Sequence, residues 1–228
     1  MCFSPQISLL TATVEFVLAI IILSRFKKSF VTRFAIAFIL LLGFYQLTEF
    51  MLCTTQNIGL WVRLGFITYT FLPALGLHLV FRMSNRRPKA IVFYIPAIVF
   101  AALAALSKGF VSSGVCHSVF ISVDLVFLNP SADFILRTIY GAYYTGFIVL
   151  SCFFVGIQMK KETDAVKKRK MMVGLSGVLL ATVPALLFIF ILPSFTTQFP
   201  SLYCEFALLV AIAAYWVSYI DNKERTNK

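Results

Sequence analysis

The chain's 228 residues are 60% hydrophobic and 13% charged, with a mean hydropathy of +0.91; a soluble domain carries about 25% charge, so the composition excludes one. The net charge of +11 would suit a nucleic-acid partner if it formed one patch. It is instead split among short connections beside apolar stretches, where basic residues orient a chain in a bilayer and lie against anionic lipid, so no nucleic acid is expected.

Seven apolar stretches follow in chain order: Ile7–Leu23, Phe34–Leu52, Leu60–Phe81, Ile91–Leu106, Phe134–Met159, Met171–Leu192 and Leu202–Ile220. Each is near the ~20 residues that cross ~30 Å of hydrocarbon. Arg25, Lys27, Lys28 and Arg33 lie after the first stretch, and Arg82, Arg86, Arg87 and Lys89 after the third. Lys160, Lys161, Lys167, Lys168, Arg169 and Lys170 separate the fifth from the sixth, and Lys223, Arg225 and Lys228 follow the seventh. Only Arg63, Lys108 and Arg137 fall elsewhere. Basic connections stay in the cytoplasm. The expected fold is therefore all-α, a seven-transmembrane helix bundle forming one integral membrane domain over 1–228, with its N-terminus outside and its C-terminus cytoplasmic. The lipid bilayer is its expected partner and the cell membrane its expected location. No basic residue precedes the first stretch, which is read as a retained helix and not a cleaved leader.

The longest connection, Ser107–Ala132, carries the β-branched and aromatic run Val119–Phe127 between glycines and Asn129-Pro130. That composition favours a small β-like hairpin over the outer mouth, with a re-entrant apolar loop as the alternative. The mixed-charge segment Lys160–Lys170 reads as a helical extension into the cytoplasm. Pro73, Pro96 and Pro184 are expected to break the third, fourth and sixth spans, each by removing a backbone donor; packing geometry and a hinge are the two readings.

Ionisable residues inside spans are costly, and each is a site hypothesis by default. Here they are Glu15, Glu49, Arg63, His78, Arg137 and Glu205. The topology puts Glu49, Arg63, Arg137 and Glu205 at one depth near the outer surface, from four different helices. Gln46 shares a face with Glu49, and Tyr140 and Tyr144 share one with Arg137. These seven residues are the expected lining of an outward-facing pocket for a small polar or zwitterionic ligand. The structural alternative is that the charges snorkel, or pair to tie helices together. Glu15 stands mid-helix and must either stay protonated or meet a polar neighbour; His78 reads as a helix contact. Both are candidates for coupling helices to one another.

Cys2, Cys53, Cys116 and Cys204 all fall at the outer end, where disulfides persist, whereas Cys152 lies in an inner half. Three connectivities are open, of which Cys116 with Cys204 is the favoured one, and free thiols are the alternative. The two histidines, His78 and His117, are on opposite sides and give no three-ligand zinc site, so no metal is expected. Neither a nucleophile elbow nor a membrane lysine for a Schiff base is present. No cofactor and no enzymatic activity are expected.

In its seven spans and outside N-terminus the chain resembles the seven-helix membrane sensor region at the N-terminus of many microbial histidine kinases. Phe71–Phe81, with Pro73 and His78, is similar to that family's Pro-x-x-x-x-His element. The outer loop with Cys116-His117 sits where the family has a short β-rich loop, and Phe199-Pro200-Ser201-Leu202 resembles the start of its final span. The opening Met-Cys-Phe-Ser-Pro and the Tyr45–Glu49 element are also similar to small multi-pass microbial proteins. The resemblance implies a sensor that passes its signal to a cytoplasmic or membrane partner, because no kinase domain follows Ile220 here. A small-solute or ion transporter using Glu15 and Glu49 is the competing reading.

Overall fold

The computed structural model describes residues 5–84, 89, 91–116, 121–128, 130–191 and 199–227, with side chains over the same ranges except 115–116, 121–122, 130, 185–191 and 199–206. The elements run α1 (Pro5–Arg25), α2 (Phe30–Thr54), α3 (Ile58–Thr70), α4 (Leu72–Met83), α5 (Ile91–Leu106), β1 (Val111–Cys116), β2 (Ile121–Leu125), α6 (Pro130–Lys161), α7 (Ala165–Ile191) and α8 (Phe199–Thr226). The seven apolar stretches of the sequence are helical over their described residues, the third as the pair α3–α4. Four of the described helical stretches are long and apolar enough to cross a membrane: Pro5–Arg25, Phe30–Thr54, Ile58–Met83 and Ser131–Lys161. The protein is an all-α, multi-pass membrane protein.

Burial is patterned as a bilayer requires. On α1 the surface carries large apolar side chains, Leu10, Ile20 and Leu23 among them, while the buried face holds Ser8, Ala12, Glu15 and Ala19. Lipid is as apolar as leucine, so helices associate through small and polar residues that bring backbones close. A Cβ on Gly65 would lie 2.8 Å from the Thr48 hydroxyl oxygen, so α2 and α3 approach only because that side chain is absent. Gly177 meets Ala213 still more closely, joining α7 to α8. Threonines along the apolar helices return their hydroxyls to their own backbone, as Thr13 does to Leu9 (2.7 Å) and Thr68 to Leu64 (2.7 Å), which removes the cost of an unmatched polar group in hydrocarbon.

Helix α2 is the hub, packing on α1, α3, α4 and α8, while α8 also meets α1 and α7, and α6 packs mainly on α4. Ser29 starts α2 with a capping box: its hydroxyl accepts from Thr32 N (3.0 Å) and Thr32 Oγ1 accepts from Ser29 N (2.7 Å).

Two of the three expected proline breaks do not occur. Pro96 lies inside the continuous α5 and Pro184 inside α7. Pro73 alone ends a helix: it sits in the first turn of α4, where its missing N–H is harmless, and α3 closes at Phe71 with a tight bond to Thr68 O (3.3 Å). The gap is filled from α6. The Tyr143 hydroxyl donates to Thr70 O (2.7 Å) and meets the Ala74 backbone N–H, so a side chain stands in for the interrupted helical ladder.

The connection after α5 is the hairpin. Strands β1 and β2 pair antiparallel from Val111–Leu125 to Cys116–Ile121, with a bulge between Val111 and Ser113. The segment Lys160–Lys170 is helical except at 162–164, where Asp164 caps α7 through Val166 N (2.8 Å). The ends of the bundle thus differ: one carries the hairpin, the other the Lys27–Ser29, Lys160–Lys170 and Asp221–Arg225 segments.

Candidate functional site

Arg63 and Arg137 serve the hairpin. The Arg63 guanidinium donates to the carbonyls of Ala104 and Lys108, the latter at 3.2 Å, and stands 5.7 Å over the Phe110 ring. These contacts seal the C-terminus of α5, whose last carbonyls have no helical donor. Arg137 pairs with Asp133 one turn before it and with Asp124 on β2 (3.5 Å), and donates to Leu125 O. Asp133 in turn accepts from Phe127 N (2.9 Å). The hairpin's feet, Phe110 and Phe127, are buried on Phe66, Phe100 and Tyr140. Both arginines therefore tie a loop to the bundle, and the ion pairs of Arg137 among the described residues are with Asp124 and Asp133.

Tyr140 and Tyr144 belong to a tyrosine-rich core below the hairpin. Tyr140 bonds the Thr70 hydroxyl (3.1 Å) and Tyr69, and Tyr69 meets Tyr45 edge-on at 5.4 Å and Tyr144 at 5.9 Å. Each ring pair of this kind adds about 0.5–1.5 kcal/mol beyond area burial.

The acids are more buried than the arginines. Glu15 is fully buried, and neither carboxyl oxygen has a hydrogen-bond partner among the described residues. It lies close enough to Glu49 for their charges to interact. Glu49 is 7% exposed, and Gln46 and Thr48 beside it are 1% exposed. Among the expected pocket residues, then, Glu49 joins Glu15 between α1 and α2, and Gln46 is buried one turn before it on α2. Tyr140 and Tyr144 form the aromatic core, and the arginines stand apart under the hairpin. The Glu205 side chain lies outside the described residues.

His78 is a helix contact. Its Nδ1 meets the Tyr94 hydroxyl (3.2 Å), and its ring packs edge-on to Phe34 at 4.9 Å, so one imidazole touches α2, α4 and α5. Of the cysteines, Cys53 is disulfide-bonded and Cys152 is free. The partner of Cys53 is therefore Cys2, Cys116 or Cys204, none of whose side chains is described, and the Cys116–Cys204 pairing likewise lies outside the described residues.

One cluster escaped the sequence reading. Lys170 of α7 is 7% exposed and donates at 2.9 Å to both Asp221 and Glu224 of α8. Asp221, 2% exposed, also takes Arg225 Nε (3.0 Å) and the Ser29 hydroxyl. Nearby, Asn222 accepts from Lys27 N (2.8 Å). Lys170 and Asp221 each stand at the first position beyond an apolar stretch, a signal that was readable. What hid the pair was the surrounding crowd of basic residues, which made Lys170 look like one more orienting charge.

No family model matches the chain, and no curated protein matches it significantly.

Proposed function

We propose that this is a cell-membrane sensor of seven spans, N-terminus outside and C-terminus cytoplasmic, that binds a small polar ligand from outside and passes the signal to a cytoplasmic or membrane partner. The observation that carries it is Glu15, a fully buried carboxyl with both oxygens unmatched. Such a group costs about 1–3 kcal/mol and is kept where a proton or a ligand will complete it. With Arg63 and Arg137 held by the hairpin, the ionisable group left without a hydrogen-bond partner among the described residues is an acid, Glu15, with a second acid, Glu49, close to it. The ligand class narrows from zwitterionic to cationic: a small amine, a monovalent cation or the proton itself.

The orientation rests on two separate supports. Basic connections gather at the end opposite the hairpin. Cys53, at the hairpin end of α2, is disulfide-bonded, and disulfides persist on the oxidising side of a membrane.

Transport is the weaker reading because the polar path stops. Past Glu15 the buried face of α1 continues as Ala19 and Ile22, and past Gln46 that of α2 continues as Leu42, Ile39 and Ala35. A carrier needs polar groups or an aqueous route beyond the midplane; a blind site does not.

The test is thermal stability of the purified protein with lithium, sodium and methylammonium, and across pH, beside Glu15→Gln. A stabilisation by one of these cations, or a pH response, that Glu15→Gln removes supports the proposal. Cation flux in reconstituted vesicles that Glu15→Gln abolishes would replace it with transport. Reporter fusions at Ser113 and Lys167 test the orientation, and a cytoplasmic signal at Ser113 overturns it.

A further inference from the structure

A second site lies at the other end of the bundle. Helices α2, α4, α6, α7 and α8 leave between them an apolar crevice of about 220 Å³ that runs from Tyr144 and Leu72 at mid-bundle to Gln158, Ser84 and Lys170 at the basic end. Missing side-chain volume makes it: Gly76, Gly174, Ala181, Ala213 and Ala214 all face it. Along α6 the lining spans Tyr144 to Gln158, roughly 21 Å at the helical rise, somewhat more than one hydrocarbon leaflet of about 15 Å. An apolar space of this kind does not hold water. In a bilayer the chain ends of lipid are its natural filling.

The rim says which lipid. Lys161 continues the crevice-lining row of α6 one turn beyond Gln158, and Lys167 continues that of α7 one turn before Lys170. Lys170 itself is committed at 2.9 Å to Asp221 and Glu224, whereas Lys167 makes only a long, solvent-screened pair with Glu162 at 4.0 Å, so Lys161 and Lys167 are the charges that α6 and α7 carry next beyond the lining. We infer that the crevice holds one acyl chain of an anionic phospholipid from the leaflet at the basic end, its headgroup on Lys161 and Lys167. This site is separate from the Glu15–Glu49 pair and stands whether or not that pair binds a ligand.

The test is native mass spectrometry of the full chain, purified in mild detergent and incubated with phosphatidylglycerol and phosphatidylcholine of matched acyl chains. The protein is expected to retain one phosphatidylglycerol in preference to phosphatidylcholine. A Cβ on Gly76 meets no atom within 4 Å, so Gly76→Phe fills the crevice without disturbing the backbone and is expected to lose both lipids while keeping its melting temperature. Lys161→Gln with Lys167→Gln is expected to keep a bound lipid but lose the preference, by about fivefold for each charge removed. Alkylation of the free, crevice-lining Cys152 by N-ethylmaleimide is expected to slow when phosphatidylglycerol is present. Equal retention of the two lipids, unchanged retention by Gly76→Phe, or a dimer that Gly76→Phe dissociates would each overturn the proposal, the last by giving the crevice to a second copy.

Discussion

Asp221 and Glu15 are both acids buried to 2% exposure or less, but they are treated in opposite ways. Asp221 lies where α7, α8 and the α1–α2 connection meet, and Lys170, Arg225 and Ser29 all bond it. Glu15 lies between apolar helices with both oxygens unmatched. Stripping water from a carboxylate costs several kcal/mol wherever it happens. At Asp221 three donors offset that cost and the result is a joint between helices. At Glu15 no donor among the described residues offsets it, so the group must hold a proton or await a partner, which is a poor way to hold helices together and a sound way to keep a site responsive.

Removing a partner from the matched acid should have the largest effect. Lys170→Met leaves Asp221 buried beside fewer donors and is expected to cost about 3–5 kcal/mol, read as a lower melting temperature, with Lys170→Met plus Asp221→Leu recovering much of it. A single variant as stable as the parent would mean that the cluster is not a joint at all. Its pH dependence has a definite sign. Burial works against charge on both partners, but the mutual hydrogen bonds and attraction win, so the Lys170 ammonium is raised and the Asp221 carboxyl lowered from their ordinary values. The Asp221 contribution is present above the ordinary carboxylate range and lost as pH falls through its lowered value. That of Lys170 is present below the ordinary lysine range and lost as pH rises through its raised one. Stability should therefore hold level across neutral pH and fall at both extremes, whereas Lys170→Met should lose the alkaline limb.

The disulfide comes next in size. Cys53→Ser is expected to cost about 2–4 kcal/mol, and peptide mapping without reductant should find Cys53 joined to Cys2, Cys116 or Cys204 while Cys152 alkylates freely. Full alkylation of Cys53 in non-reduced protein would remove this anchor from the hairpin end.

Glu15→Leu should move stability the other way, up by about 1–3 kcal/mol, because an unmatched buried acid is exchanged for hydrocarbon. If instead the variant loses stability, Glu15 resembles Asp221 and the comparison collapses. Arg137→Ala should matter least globally, about 1 kcal/mol or below, since its side chain is 44% exposed and solvent screens its pairs. Its effect should be local, a faster hydrogen exchange of Val111–Leu125. Adding Glu49→Ala should restore nothing, because Arg137 pairs with Asp124 and Asp133.

The helices were legible because hydrophobic length is a strong signal in a chain that must satisfy its own backbone in lipid. Val119–Phe127 revealed the hairpin by its β-branched and aromatic content, although the first strand begins earlier, at Val111. The candidate site was only half legible. Depth along the bundle was read from topology, which put Gln46 and Glu49 on one turn-spaced face of the second span. Rotation about each helix axis does not follow from topology, and it decided the rest: Arg63 turns to α5 and Arg137 to the hairpin, while Glu15 turns inward to Glu49. The proline expectation erred for a related reason. A proline in the first turn of a helix and one in its middle look alike in sequence, but Pro73 coincides with a neighbour, Tyr143, whose hydroxyl fits the gap.

That substitution of a phenol for a ladder bond has a mechanical consequence. A continuous helix carries twist from end to end, because each turn is bonded to the next. At Phe71 the spine of the third span is instead spliced through a side chain that belongs to α6. The backbone bonds left at the splice are those of Phe71 N to Thr68 O and of Leu75 N to Phe71 O, so part of any rotation of α3 under the hairpin passes to α4 through Tyr143 and drags α6 with it. The third span is therefore geared to the fifth, and Tyr143→Phe would uncouple the gear while leaving both shafts in place.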